Sequence, residues 1–267
     1  MRKRSDGRNE FREWVDKHPD PSWPLMPLTH ISKGLIAKDI INDELIRAEH
    51  CAVFDEPLAY FFYGRPAYRV GGDAVIKSEA ACPFCFIFDS ALITKAKYIH
   101  AFDTGAFEKR LYKHVMEEEI MIEDYSLGTD TSRPNKIVSA VFTSMDAYLD
   151  ADTTKIAPPS EMAKPWEFLA TAYLQLLTSS GRNEPDDRIC SIEVTVDDDV
   201  PLGGNLKAVI VPHTHWQNHE KAPWLEKLEE NGVIIAPYKF VPGRHPEHYH
   251  ALLECAARDI YEEWKLL

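Results

Sequence analysis

The chain has 267 residues, 45% hydrophobic and 27% charged, with a net charge of −13. That composition is globular. No apolar run nears the ~20 residues a membrane-spanning helix needs, and five cysteines are too few and too scattered for a disulfide framework. The acidic total argues against binding along many nucleic-acid phosphates, which asks for a basic face. It favours a small-molecule or protein partner, or brief contact with a few nucleotides.

The first residues, Met-Arg-Lys-Arg-Ser-Asp-Gly-Arg, are basic, but no apolar stretch follows them. A secretory signal is therefore not expected, and a reducing cytoplasm is the simplest compartment. Residues 1–24 are polar and rich in proline, an arm or short helix leading into an extended stretch. Residues 25–31 suit a first strand. Leu35, Ile36, Ile40, Ile41 and Leu45 recur at helical spacing over 34–48. An aromatic strand follows the acidic turn at 55–57. Residues 82–90 read as a buried strand, 98–102 as another, and the Glu-rich stretch 106–122 as an amphipathic helix.

Residues 126–137 read as a loop, 140–149 as strand or helix, and 150–164 as a loop. A helix is expected over 166–177, followed by a polar, turn-rich stretch at 179–187. Residues 189–196 alternate around Ser191, Glu193 and Thr195, the pattern of a half-buried strand. Central strands are expected at 206–211 and 233–240, and a C-terminal helix at 247–265. No repeat or linker interrupts the pattern, so the expectation is an α+β protein with an N-terminal arm (1–24) and a single domain (25–267).

The most informative stretch is 59–69, Ala-Tyr-Phe-Phe-Tyr-Gly-Arg-Pro-Ala-Tyr-Arg. Aromatic side chains pack well on a pleated strand. Gly64 and Pro66 should end that strand, holding Arg65 in a rigid frame where its fork can meet a phosphate or carboxylate. The alternative is a solvent-facing or salt-bridged arginine at a strand end. Of the adjacent Phe61 and Phe62, at least one must face the core.

Two further segments join it. One is Leu28-Thr29-His30-Ile31-Ser32, preceding a helix; the other is Arg188-Ile189-Cys190-Ser191-Ile192-Glu193-Val194. Together the three resemble the ADP-ribosyltransferase superfamily, most nearly the DNA ADP-ribosyltransferase toxins of the DarT type. Those carry a first-strand His-x-Thr, a segment of the form Tyr-Phe-x-x-Arg-x-x-x-Tyr and a late strand of the form Ala-Glu-Phe-Leu-Val. Here His30-Ile31-Ser32 stands first, with Ser for Thr. Tyr60-Phe61, Arg65 and Tyr68 stand second, their spacing shifted by one on either side of the arginine, and Ser191-Ile192-Glu193-Val194 stands third. Residues 70–187 match nothing in the resemblance.

The resemblance implies a split mixed β-sheet core with flanking helices and an enzyme that uses NAD as substrate. Breaking the nicotinamide glycosidic bond develops positive charge on the ribose, as glycoside hydrolysis does. Glu193 is the implied catalytic carboxylate, holding a ribose hydroxyl, stabilising the cation and taking the acceptor's proton; otherwise it is an ordinary outward-facing strand residue. Arg65 would bind the phosphates or orient the acceptor. His30 would hydrogen-bond the ribose or nicotinamide-side hydroxyls, or serve as a capping or core histidine. Ser32 would bind the dinucleotide or cap the following helix. Tyr60, Phe62 and Tyr68 would stack on nicotinamide or simply fill the core.

The implied acceptor is a nucleic-acid base, single-stranded rather than duplex, with a protein side chain or water (NAD glycohydrolysis) as alternatives. Such proteins act as toxins or anti-phage effectors, with or without a neutralising partner protein. From another functional class, a catalytically silent binding or immunity module on the same scaffold is the alternative. Other signals carry less. Cys82-Pro-Phe-Cys85 lacks the second pair that zinc needs and reads as buried structure. His213, His215, His245, His248 and His250 lack a clear metal geometry, and no glycine pattern fits a dinucleotide or phosphate loop. The acidic runs 117–119 and 197–199 read as solvated faces.

Overall fold

Described over residues 9–67, 75–179, 187–216 and 221–267, the computed structural model is a mixed α+β protein. In chain order its elements are α1 (Glu10–Asp16), β1 (Leu28–Lys33), α2 (Gly34–Asp43), β2 (Leu45–Ile46), β3 (Glu49–Cys51), β4 (Glu56–Tyr63), β5 (Pro83–Phe88) and β6 (Tyr98–His100). Then come α3 (Thr104–Glu108), α4 (Arg133–Phe142), α5 (Met145–Leu149), α6 (Pro159–Met162), α7 (Phe168–Thr178), β7 (Glu193–Val196), β8 (Val200–Pro201), β9 (Leu206–Pro212), α8 (Pro223–Glu230), β10 (Ile234–Tyr238) and α9 (Pro246–Glu263). The chain divides into two compact units, Met1–Leu25 with Ala96–Val194, and Met26–Lys95 with Thr195–Leu267.

The second unit is built on a mixed sheet in which β10, β9, β5, β1 and β4 lie side by side and β3 pairs with β4. β10 and β9 run parallel; β1 pairs antiparallel with β4 and β5, and β5 with β9. All six residues of β5 are buried, which explains why 83–88 reads as unbroken hydrophobic sequence: neither face meets water. Cys82 and Cys85 are fully buried, and burial pushes the Cys82 thiol up to about 11. They are structural, as their sequence context predicts. The helices α2 and α9 pack against strands of this sheet.

The Gly-Arg-Pro turn ends β4 as expected. Gly64 sits at φ 72°, where a side chain would be strained, and the Arg65 N–H donates to the Tyr63 carbonyl at 2.8 Å. α9 fastens the turn: Tyr261 Oη donates to the Gly64 carbonyl at 2.6 Å, and His250 Nε2 lies 2.8 Å from the Pro66 carbonyl.

The first unit is helical around an aromatic cluster. Phe11 lies edge-on to Tyr125 and Tyr173, with centroids 5.0 and 5.1 Å apart, and Phe102 meets Tyr125 at 4.9 Å. Arg133 clamps Asp16 with two bonds of 3.0 and 2.8 Å, tying α4 to the end of α1.

Several local expectations are corrected. The Glu-rich stretch 106–122 is not one helix. α3 stops at Glu108, and Arg110 turns left-handed at φ 57°, because Phe107, Tyr112 and Met116 must all reach the core. The loop expected over 126–137 gives way to α4 from Arg133. Pro134 falls in its first turn, where a missing N–H costs nothing. Residues 140–149 resolve as helix, with Ser144 capping α5 by accepting from the Ala147 N–H at 3.1 Å. The strand expected over 189–196 starts only at Glu193, and all four residues of β7 are buried rather than alternating with solvent.

Gly34 sets how closely α2 can approach the sheet. Its N–H donates to the Cys82 carbonyl at 2.8 Å, and a Cβ there would fall on the Glu79 carbonyl oxygen, with the Phe84 ring 3.1 Å away. Gly34→Ala must push α2 outward and should cost ~1–3 kcal/mol, read as a lower denaturant midpoint. An unchanged midpoint would show that the contact yields freely.

Candidate functional site

In the second unit, β4 pairs with β3 at one end, over Glu49–Leu58 to Cys51–Glu56, and with β1 at the other, at Leu28–Tyr63 and Thr29–Phe62. Past Thr29 the β1–β4 ladder ends. His30 spans the opening: its Nδ1 lies 2.8 Å from the Tyr60 carbonyl oxygen. A carbonyl can only accept, so Nδ1 carries the proton. The ring lies among Phe61 and Phe86, with centroids 5.9 and 6.2 Å away. Burial holds the His30 pKa below the ordinary imidazole value, against smaller opposing effects from the Tyr60 carbonyl and Glu49. The ring is thus neutral at neutral pH, and Nε2 accepts from the Ser32 hydroxyl at 2.9 Å.

Where the strands part, a pocket of about 470 Å³ opens, lined by His30, Ser32 and Tyr60 together with side chains of α2, β2 and β3. That volume falls in the ~300–1,000 Å³ range of small-molecule sites. Ile36 and Ile40 give it an apolar wall, and Asp39, Asp43 and Glu49 give it carboxylates. Arg47 pairs with Asp43 at 2.8 Å. Tyr60 Oη donates to Cys51 Sγ at 2.6 Å.

Three of the residues singled out in sequence, His30, Ser32 and Tyr60, are thus brought together. Phe62 and Arg65 are not among the pocket's lining residues. Phe62 is half-buried on β4, its carbonyl accepting from Thr29 Oγ1 at 3.3 Å, while its neighbour Phe61 is fully buried. Arg65 is 1% exposed and ion-pairs with Glu254 of α9 at 2.6 Å. Tyr68 lies outside the described residues.

Glu193 belongs to the first unit. It is 2% exposed and accepts two bonds from Thr104, from Oγ1 at 2.7 Å and from the backbone N–H at 3.2 Å. Asp103 caps α3 through the Ala106 N–H at 2.6 Å and pairs with Arg188 at 3.2 Å. Burial first, then the negative charge of Asp103, pushes Glu193 up to about 8, against the pull of Thr104 and Arg188.

Thr104, Asp103 and Glu254 were not visible as site residues in the sequence. The Asp-Thr-Gly of 103–105 marks a turn, and only its cap geometry reveals that the next threonine serves a carboxylate 89 positions on. Among the described residues no group of histidine, cysteine and carboxylate side chains has the makings of a metal site, and no helix is long and apolar enough to cross a membrane. No family model, curated protein or solved structure matches the chain.

The Glu193 shift has a sign that can be tested. In the unfolded chain this carboxyl titrates near its ordinary value of 4.5, in the folded chain near 8. Between those values the folded state holds a proton that the unfolded state has lost, so stability falls as pH rises through that window. Glu193→Gln mimics the protonated acid and removes the effect. The melting temperature of the native protein should fall more steeply from pH 5 to pH 8.5 than that of Glu193→Gln. Parallel curves would contradict the shift.

Proposed function

We propose that the protein is an NAD-dependent ADP-ribosyltransferase whose His30–Ser32–Tyr60 pocket receives the nicotinamide end of NAD. One observation carries this reading: three residues that the resemblance selects from two separate segments line the same pocket. Its chemistry suits the ligand. The nicotinamide ring of NAD is cationic, and the pocket bears the carboxylates of Asp39 and Glu49 and an aromatic ring at Tyr60. His30 and Ser32 supply a hydrogen-bonding pair for ribose hydroxyls.

Glu193 is the proposed catalytic carboxylate, a role that rests on the resemblance alone. Ionised, it would stabilise the cationic ribose and take the acceptor's proton. The resemblance gives Arg65 the phosphates or the acceptor; its burial against Glu254 gives it a structural duty as well. The proposed acceptor is a base of single-stranded nucleic acid, with a protein side chain or water as the alternatives. An ADP-ribosyltransferase-like split of the sheet belongs to the same proposal.

The test is liquid chromatography of NAD incubated with the purified protein, with single-stranded DNA or RNA, with protein and alone. Nicotinamide should appear, and its rate should climb as pH rises through about 8 and Glu193 ionises. Glu193→Gln should lower the rate ~10²–10³-fold. NAD left intact with every acceptor class would overturn the reading and favour a silent binding module.

A further inference from the structure

His30 and Ser32 lie two residues apart on β1, so both project from the same face of the strand. The Tyr60 carbonyl fixes the proton on Nδ1, which leaves Nε2 with a lone pair, and the Ser32 hydroxyl donates to it. A hydroxyl, a base and the base's orienting acceptor are therefore joined in sequence by two hydrogen bonds. Lys33, not Ser32, is the N-cap residue of α2, and no side chain caps that helix. Among the described residues the hydroxyl makes no other hydrogen bond. Ser32 lines the pocket.

We propose that Ser32 is itself an acceptor: without an external one, the protein transfers ADP-ribose from NAD to Ser32 Oγ, with His30 as the base. This rests on the NAD reading above. The bond between the nicotinamide nitrogen and ribose C1′ breaks, and nicotinamide leaves neutral with the bonding pair. Ser32 Oγ bonds to C1′, and its proton passes to His30 Nε2. The product is an O-glycosidic ADP-ribosyl-Ser32 that occupies the pocket and ends turnover on that molecule, so the activity is self-limiting when no acceptor is at hand.

Two measurements on the full chain separate this proposal from the NAD reading. In the first, the protein is incubated with NAD alone and followed by chromatography of nicotinamide and by intact and peptide mass spectrometry. The protein should gain the mass of one ADP-ribosyl group on the peptide bearing Ser32, and nicotinamide release should level off as the adduct accumulates. Ser32→Ala should show no adduct on that peptide. In the second, a fluorophosphonate probe is added without NAD. It should label Ser32 in the native protein, with labelling slowed ~10²-fold in His30→Ala. Nicotinamide release with Ser32 unmodified would overturn self-modification and leave the NAD reading standing. A probe-labelled Ser32 with NAD intact would overturn both ADP-ribose as the transferred group and the NAD reading. Failure of the probe to label the native protein would remove His30 as an activating base.

Discussion

Between the β3–β4 ladder that ends at Glu49–Leu58 and the β1–β4 ladder at Thr29–Phe62, the Tyr60 carbonyl takes its hydrogen bond from the His30 imidazole. A buried carbonyl left without a donor costs ~1–3 kcal/mol. The histidine meets that need and lets two neighbouring strands part without leaving the carbonyl bare. Everything else at the pocket follows from it. The bond fixes the proton on Nδ1, turns Nε2 toward Ser32, and holds open a space that α2 closes on one side. The closeness of α2 depends in turn on Gly34, which has no side chain to strike the Glu79 carbonyl.

The same rule governs the polar groups buried elsewhere. A carboxyl as enclosed as Glu193 either keeps its proton or finds donors. Glu193 does both in part, with two bonds from Thr104 and an elevated pKa. Arg65 cannot lose its charge, so it is paired, and Glu254 of α9 supplies the partner. Removing one member of such a pair leaves an uncompensated charge, while the intact pair adds little net stability and fixes geometry instead. Here the geometry fixed is that of the Gly-Arg-Pro turn, which Tyr261 and His250 hold from the same helix.

Much of the sheet was legible because its signal is local. The run 82–88 is apolar throughout and contains the fully buried β5; 206–211 gives β9, while 233–240 gives β10 at the edge of the sheet rather than at its centre. The Gly64–Pro66 punctuation ended β4 where expected. Helix limits in the first unit were not legible, because left-handed residues at Arg110 and Thr143 and the proline in the first turn of α4 decide them. The burial of Glu193 was hidden in the sequence, since alternation along a strand says nothing of what packs on the second face. His30, Ser32 and Tyr60 stood out through their motif pattern. The hydrogen bonds that join them could not be read, because the acceptor at Tyr60 is backbone and leaves no trace in residue identity. Glu254 and Thr104 were missed for a similar reason: their partners lie 189 and 89 positions away.

The most direct measurement is long-range proton–nitrogen NMR of the histidine side chains, with His30 assigned by comparison with His30→Ala, before and after addition of NAD. At neutral pH His30 should be neutral with its proton on Nδ1, and NAD should shift its ring nitrogen resonances, since His30 lines the pocket. A charged His30, a proton on Nε2, or a spectrum unmoved by saturating NAD would contradict the link between the parted strands, the histidine that spans them and the ligand proposed for the pocket.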